Sequence, residues 1–269
     1  MFSEAVVQRQ ARVYQALPEY QRRLRLLDPK PSDAVAELDL TGYEYQVCSQ
    51  NGEDGVLVEI FRRIGVEDGW FVEFGVETGM EGNCVALADI AGWRGLFMEA
   101  NPDTYHHLHH KYLWSDRVTT LHAAVTPENV QELFAQAGVP RRPDVLSIDI
   151  DGNDYWVWRA IDAYTPRVVV IEYNSGLDPD QRLVQPPDTP GWDGTDFFGA
   201  SLGALIDLAA RKGYRLVHCE LAGVNAFFVH TDEAGAFLAP EDVRRRGPNY
   251  FLGAFGHPPG DANRRYQAV

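Results

Sequence analysis

Residues 144–174 read DVLSIDIDGNDYWVWRAIDAYTPRVVVIEYN, and the fold turns on how this stretch is understood. An apolar run at 144–151 is followed by a helix-like segment at 153–162 and a second apolar run at 167–174. Strands that are apolar on both faces belong to sheets covered on both sides, and a helix between two of them implies parallel order. Both runs end in acids. The first reaches Asp149, Asp151 and Asp154, with Gly152 between the last two, and the second reaches Glu172, Tyr173 and Asn174. Carboxylates crowded in this way repel one another, so their gathering at the end of a buried strand calls for a chemical reason.

The same rhythm extends in both directions. Apolar runs at 70–75, 94–101, 118–125, 214–221 and 225–230 alternate with plausible helices near 82–91, 103–112, 127–137 and 201–212. Only "AGV" separates the last two runs, too short for a helical crossover, so they predict an antiparallel hairpin. The expected class is α/β: a Rossmann-like, mostly parallel seven-stranded sheet with that hairpin at its C-terminal side. A further helix is expected over 52–64 and one or two over 4–27, with Pro18 as a break. This divides the chain into an N-terminal helical extension (1–45), the main domain (46–240) and a Gly/Pro-rich C-terminal tail (241–269).

Composition narrows the function. The chain has 269 residues, 45% of them hydrophobic, and no apolar run long enough for a membrane span. The N-terminus mixes charge and apolar residues and does not read as a signal peptide, so a cytoplasmic protein is expected. Cys48, Cys84 and Cys219 are too few and too scattered for a disulfide framework or a zinc site. A net charge of −15 argues against nucleic acid as a partner and suits a neutral or cationic small molecule. A homo-oligomer stays open.

In open parallel sheets, ligands bind beyond the carboxyl ends of the strands, near the point where strand order reverses. The run at 70–75 leads into VEFGVETGMEGN, with Gly75, Gly79 and Gly82 in a strand-to-helix turn. A dinucleotide fingerprint would need G-x-G-x-x-G and N–H groups free for a pyrophosphate. Here the second glycine is missing, and Glu73 and Glu77 would repel phosphate. S-adenosylmethionine (SAM) carries a sulfonium and an ammonium and no phosphate, so the acids become favourable. Glu99, ending the second run, can accept hydrogen bonds from both hydroxyls of a ribose; its alternative is a solvated strand end. Asn83, in the turn after the first run, and Ala124, near the end of the third, complete the expected SAM contacts. Asp149 or Asp151, facing Glu172 and Asn174, would give three hard oxygen donors that suit Mg²⁺ or Mn²⁺, which could lower the pKa of an acceptor hydroxyl; with Asp149, Glu172 and Asn174 as the set, Asp151 either joins them on the ion or stands just behind them. The alternative has Asp149 meeting the methionine ammonium while Asp151 or Asp154 caps the next helix. Asp149, Asp151 and Asp154 are the candidate catalytic acids.

SQNGED (49–54), FVEFGVETG, GLFMEANP, LSIDIDGNDYWVW, VVVIEYN and GVNAFFVH together resemble the FkbM-like branch of class I SAM-dependent methyltransferases, over roughly 46–231. The resemblance implies O-methylation, often of a sugar or natural product. Gly75 and Gly79 match the family's D-x-G-x-x-x-G loop with Glu73 in place of Asp. Many relatives read IDVEG where this chain has Asp149-Ile150-Asp151-Gly152. The loop at 186–201 is long and aromatic, and its Trp192, Asp193, Phe197 and Phe198, with Tyr173, are candidate acceptor contacts. His106 and His110 lie one helical turn apart and read first as an exposed helix face; His122 and His218 read as structural. Two other functions remain: a metal-dependent glycosyltransferase using Asp149-x-Asp151 as a D-x-D motif, and a SAM-fold interaction module without turnover.

Overall fold

A computed structural model describes residues 38–187, 189, 191–248, 260 and 265–269. The helices expected over 4–27 lie outside the described residues. Seven strands form the main sheet: β1 (Trp70–Phe74), β2 (Arg94–Glu99), β3 (Val118–His122), β4 (Val145–Ile148), β5 (Val168–Glu172), β7 (Tyr214–Cys219) and β8 (Asn225–His230). Their order is β3-β2-β1-β4-β5-β8-β7. The first five pair in parallel, and β8 runs antiparallel to both β5 and β7. The expected hairpin is present, and its second strand is the one inserted against β5. A separate pair joins β6 (Leu183–Val184) to β9 (Gln267–Ala268), so part of the expected tail is tied back to the domain.

Alternate strand residues sort onto two covered faces, the reason the strands read as continuously apolar. Val72, Leu96, Leu146, Val169 and Phe228 pack with Val130 and Phe134 of α4 (Val130–Gln136), Trp158 of α5 (Asp154–Ala160) and Leu205 of α6 (Leu202–Lys212). Phe71, Phe97, Val145, Val168 and Phe227 face the other way. They meet Ile60 of α1 (Glu53–Ile64), Val85 of α2 (Val85–Asp89) and Leu108 of α3 (Pro102–Tyr112). Leu40 is fully buried in this second layer and Glu44 receives a 2.9 Å contact from His218, so the segment from residue 38 onward packs on the sheet.

Helix ends follow local chemistry. Acids Glu53 and Asp54 open α1, Arg62 and Arg63 close it, and Gly65 ends it at φ 74°. Ser201 caps α6 by accepting from Ala204 N, and left-handed Gly213 terminates it. At the sheet end opposite the acidic loops, the fully buried Asp144 accepts N–H groups from Glu67, Asp68, Gly69 and Trp70. Arg167 Nη1 reaches it at 2.6 Å, and Arg167 also donates to Glu233 and to the carbonyls of Ile64 and Gly65. Among the described residues, no helix is long and apolar enough to cross a membrane.

Candidate active site

Strand order reverses between β1 and β4, because the chain steps outward from β1 through β2 to β3 and then returns to place β4 on the other side. The carboxyl ends of β1, β2, β4 and β5 therefore surround the place where such folds bind ligands. Gly75, just past β1, has φ 81° and lies so close to the β4 loop that a Cβ on it would fall 1.6 Å from the Asp149 carbonyl oxygen. Two non-glycine residues here also take left-handed backbone, Glu77 at φ 51° and Asp151 at φ 56°. Such conformations cost energy for residues with a side chain and collect at functional loops.

Asp149, Asp151 and Glu172 each offer one carboxylate oxygen within 4.8 Å of the others. Burial first, and then the charges of Asp151, Asp154, Glu73 and Glu53, push Asp149 well above the ordinary carboxylate range. Glu172 is raised well above its range too, by burial and then by Asp149, Asp154 and Asp151. Asp151 is raised by burial and by Glu77. Glu172 Oε2 is buried with no hydrogen-bond partner. An uncompensated buried oxygen among like charges marks a place built for a cation or a donor.

Glu99 is 7% exposed, with Oε2 accepting from Glu77 N and Oε1 from Asn101 N, each at 2.7 Å. Those bonds aim the carboxylate, and each oxygen keeps a lone pair for a hydroxyl. Glu73 serves the loop itself: it accepts from Asn83 N at 2.7 Å, Cys84 N at 2.9 Å and Ser147 Oγ at 3.3 Å. Asn83 is likewise engaged, its Nδ2 donating to Ser147 Oγ. These two hold the glycine loop in place rather than lining it. Gly79 packs under Leu108 at φ 70°, and Ala124 lies exposed beyond β3, its carbonyl taken by Asn129 Nδ2.

Several expected contacts are directed elsewhere. Asp154 is 1% exposed and accepts from Ile150 N and Gly152 N, so it staples the β4 loop to α5 and is not free for catalysis. Asn174 Oδ1 accepts from Gly176 N, and its Nδ2 donates to the Asp196 carbonyl, the Phe198 carbonyl and the Tyr266 hydroxyl. Asp151, expected in or beside the ion's coordination, stands with Asp149 and Glu172 in the carboxylate cluster. Tyr173 is buried in the core, its hydroxyl donating to the Arg246 carbonyl. The Phe198 ring is buried as well, and Phe197 packs on Tyr266. Of the expected acceptor contacts, Trp192 and Asp193 stay exposed; Trp192 Nε1 donates to the Thr195 carbonyl, and Asp193 accepts from Thr195 N and Oγ1.

Two residues near the cluster are ones that sequence reasoning misses. Asn225 opens β8 in register with Glu172, and its Nδ2 donates to Glu53 Oε1 at 3.0 Å while its Oδ1 is buried without a partner. Glu53 is fully buried at the start of α1. A faint signal exists: a polar residue beginning an otherwise apolar strand, and paired acids beginning an apolar helix.

The buried acids make stability depend on pH. Burial pushes Asp54 and Asp154 up to about 6, and Glu73 and Glu220 up to about 7. Between their unfolded and folded pKa values these groups bind protons more tightly in the folded chain. Their stabilising contribution is full below about pH 4 and is lost as pH rises through about 7. The melting temperature should therefore fall from about pH 5 to about pH 8. A scan that stays flat or rises over this window would count against protonated acids in the core.

Strand order, with its single reversed strand beside the edge, is that of the Rossmann-like methyltransferase fold. Among solved structures, the chain is similar to EvdMO1 at 15% identity and a TM-score of 0.42, over 81% of this chain and 48% of that one. It is similar to Aeropyrum pernix fibrillarin, solved with natively bound S-adenosyl-L-methionine, at 12% identity and a TM-score of 0.40; 61% of this chain and 66% of that one are covered. Methanococcus jannaschii fibrillarin, a pre-rRNA processing protein, gives 13% identity and a TM-score of 0.44 over 68% and 77%. The chain thus spans about half the length of EvdMO1 and just under two thirds of the Aeropyrum fibrillarin. No protein-family model and no curated protein matches the chain.

Proposed function

We propose that this chain is a SAM-dependent methyltransferase of the FkbM-like branch, acting on a hydroxyl of a sugar or natural product. The observation that carries the reading is the set of acids around the strand-order reversal: Glu99 after β2, Asp149 and Asp151 after β4, and Glu172 at the end of β5. The charges acting most strongly on Asp149 are all negative. A pyrophosphate would be repelled there, whereas a sulfonium and an ammonium would be attracted. Glu99 would take the ribose hydroxyls, and Asp149 or Asp151 would receive the proton that the acceptor hydroxyl loses as its oxygen bonds the methyl carbon; the carbon–sulfur bond breaks, and its electron pair leaves with the neutral thioether of the demethylated cofactor. The protein's larger contribution would be to align the two reactants. With net charge −15, a cytoplasmic small molecule is a better acceptor than a nucleic acid.

Calorimetry tests the reading directly: SAM and its demethylated product should bind, and UDP- or GDP-sugars should not. A screen of hydroxylated metabolites should then show the mass gain of one methylene. Replacing Glu99 by Ala should weaken SAM binding by about 1.5–3 kcal/mol, the usual loss for hydrogen bonds to a charged group. Unchanged affinity would remove Glu99 from the cofactor site.

The same reading extends to a divalent cation. Asp149, Asp151 and Glu172 are a hard oxygen set, and the unpartnered Glu172 Oε2 fits such an ion. When bound, Mg²⁺ or Mn²⁺ would relieve the repulsion and acidify a hydroxyl. Turnover should fall on chelation with EDTA and return with Mg²⁺ or Mn²⁺; full activity after exhaustive chelation would leave these carboxylates as base and ammonium partners. One observation favours a second function. Asp149 and Asp151 both contribute to the cluster, as a D-x-D motif in a metal-dependent glycosyltransferase would. Tight Mn²⁺-dependent binding of a nucleotide sugar, without SAM binding, would decide for it. SAM binding with no turnover on any acceptor would leave an interaction module.

A further inference from the structure

The geometry points to a second cation site, of imidazole rather than carboxylate chemistry, on the outer face of α3. Asp103, His106, His107 and His110 recur along that helix at steps of three, one and three, which places them on one face. The opposite face carries the buried Leu108 and Tyr112, so this one looks outward. His106 and His110 are both exposed, with ring centroids 5.0 Å apart and planes inclined at 69°. The His107 ring lies 6.0 Å from that of His106.

Other histidines have polar work to do. His109 meets Thr120 Oγ1, His122 meets the Ala100 carbonyl, His218 meets Glu44 and His230 meets Asp232. His106 and His110 contact each other's rings instead, and among the described residues no hydrogen bond or ion pair engages either.

The spacing suits a shared metal. A metal–imidazole bond of about 2.0–2.1 Å puts each ring centre about 3.2 Å from the ion. Two centres 5.0 Å apart then subtend about 100° at the metal, between a right angle and the tetrahedral value. Two imidazole ligands one turn apart favour Zn²⁺, Cu²⁺ or Ni²⁺ over Mg²⁺. Asp103, one turn earlier, adds negative charge on the same face, and water would fill the remaining positions. This separates the site in kind from the oxygen cluster at Asp149, and an ion would bind here whether or not the chain transfers methyl groups.

The test uses the full chain without an affinity tag, with Mg²⁺ in excess to occupy the carboxylates. Titration with Cu²⁺, followed by calorimetry and electron paramagnetic resonance, should show one equivalent carrying nitrogen hyperfine structure. It should disappear in His106→Gln and in His110→Gln and persist in His109→Gln. Zn²⁺ should raise the melting temperature of the parent chain and leave that of the first two variants unchanged, since an ion bound only by the folded helix stabilises it. Absence of a nitrogen-bound equivalent, or one that survives both variants, would overturn the site. Equal melting temperatures of the variants and the parent without metal would show that folding is intact.

Discussion

Replacing Gly75 by Ala should destabilise the protein by about 2–5 kcal/mol: about 1–2 for a left-handed side-chain-bearing residue and about 1–3 for overpacking. The added Cβ would sit 1.6 Å from the Asp149 carbonyl oxygen, which is main chain and cannot swing away. The β1 and β4 loops would have to separate, moving Asp149 from its neighbours. SAM affinity should therefore fall together with stability. Gly138 supplies the control. It has φ 69° with nothing within 4 Å of an added methyl, so Gly138→Ala should show the backbone cost alone and leave the ligand untouched. Equal unfolding midpoints for the two variants would show that the close approach of the loops is not a constraint.

Asp144→Ala should cost about 3–5 kcal/mol, the range for removing one partner of a buried ion pair. The side chains of Asp144 and Arg167 are 1% and 3% exposed, and four backbone N–H groups also point at this carboxylate. Arg167 would keep Glu233, but the donors from Glu67 to Trp70 would lose their acceptor. Asp144→Asn should lose less, since one oxygen remains to accept. Asp144 precedes β4 and Asp149 comes after it, about 16 Å away along an extended strand, so SAM affinity should hardly change. Urea unfolding measures the first quantity and calorimetry the second. A loss below about 1 kcal/mol for the alanine variant would show that the network contributes little.

The strands are legible because burial on both faces leaves an uninterrupted apolar run, as Val168 to Ile171 shows. Glu99, Asp149 and Glu172 are legible for a related reason: each acid interrupts such a run where the strand meets the cleft. Asn174 and Asp154 mislead because short polar side chains have local options. Asn174 turns back to the N–H two residues on, and Asp154 reaches N–H groups two and four residues before it. Position alone cannot separate that use from ligand binding. Tyr173 and Phe198 read as acceptor contacts because they border the cleft and a long aromatic loop, yet Tyr173 is buried in the core, and Asn174 and Tyr266 draw residues 196–198 inward. Asn225 is hard to find because its partner Glu53 is 172 residues away, and no local pattern encodes that pairing.

The reversed strand has an evolutionary consequence. The acids at the cleft come at or after the ends of their strands, so altering the segments beyond them disturbs crossover helices that also cover the sheet. Asn225 begins its strand, and the chain reaches it from β7 through a tight turn in which Glu220 accepts from the N–H groups of Ala222, Val224 and Asn225. That turn is anchored by neighbours other than the covering helices: Tyr173 N donates to the Val224 carbonyl, Ser175 Oγ to the Gly223 carbonyl and Leu221 N to Glu44. A substitution that keeps these bonds would let selection, or a designer, alter the floor beside Glu172 without passing through the helices that cover the sheet.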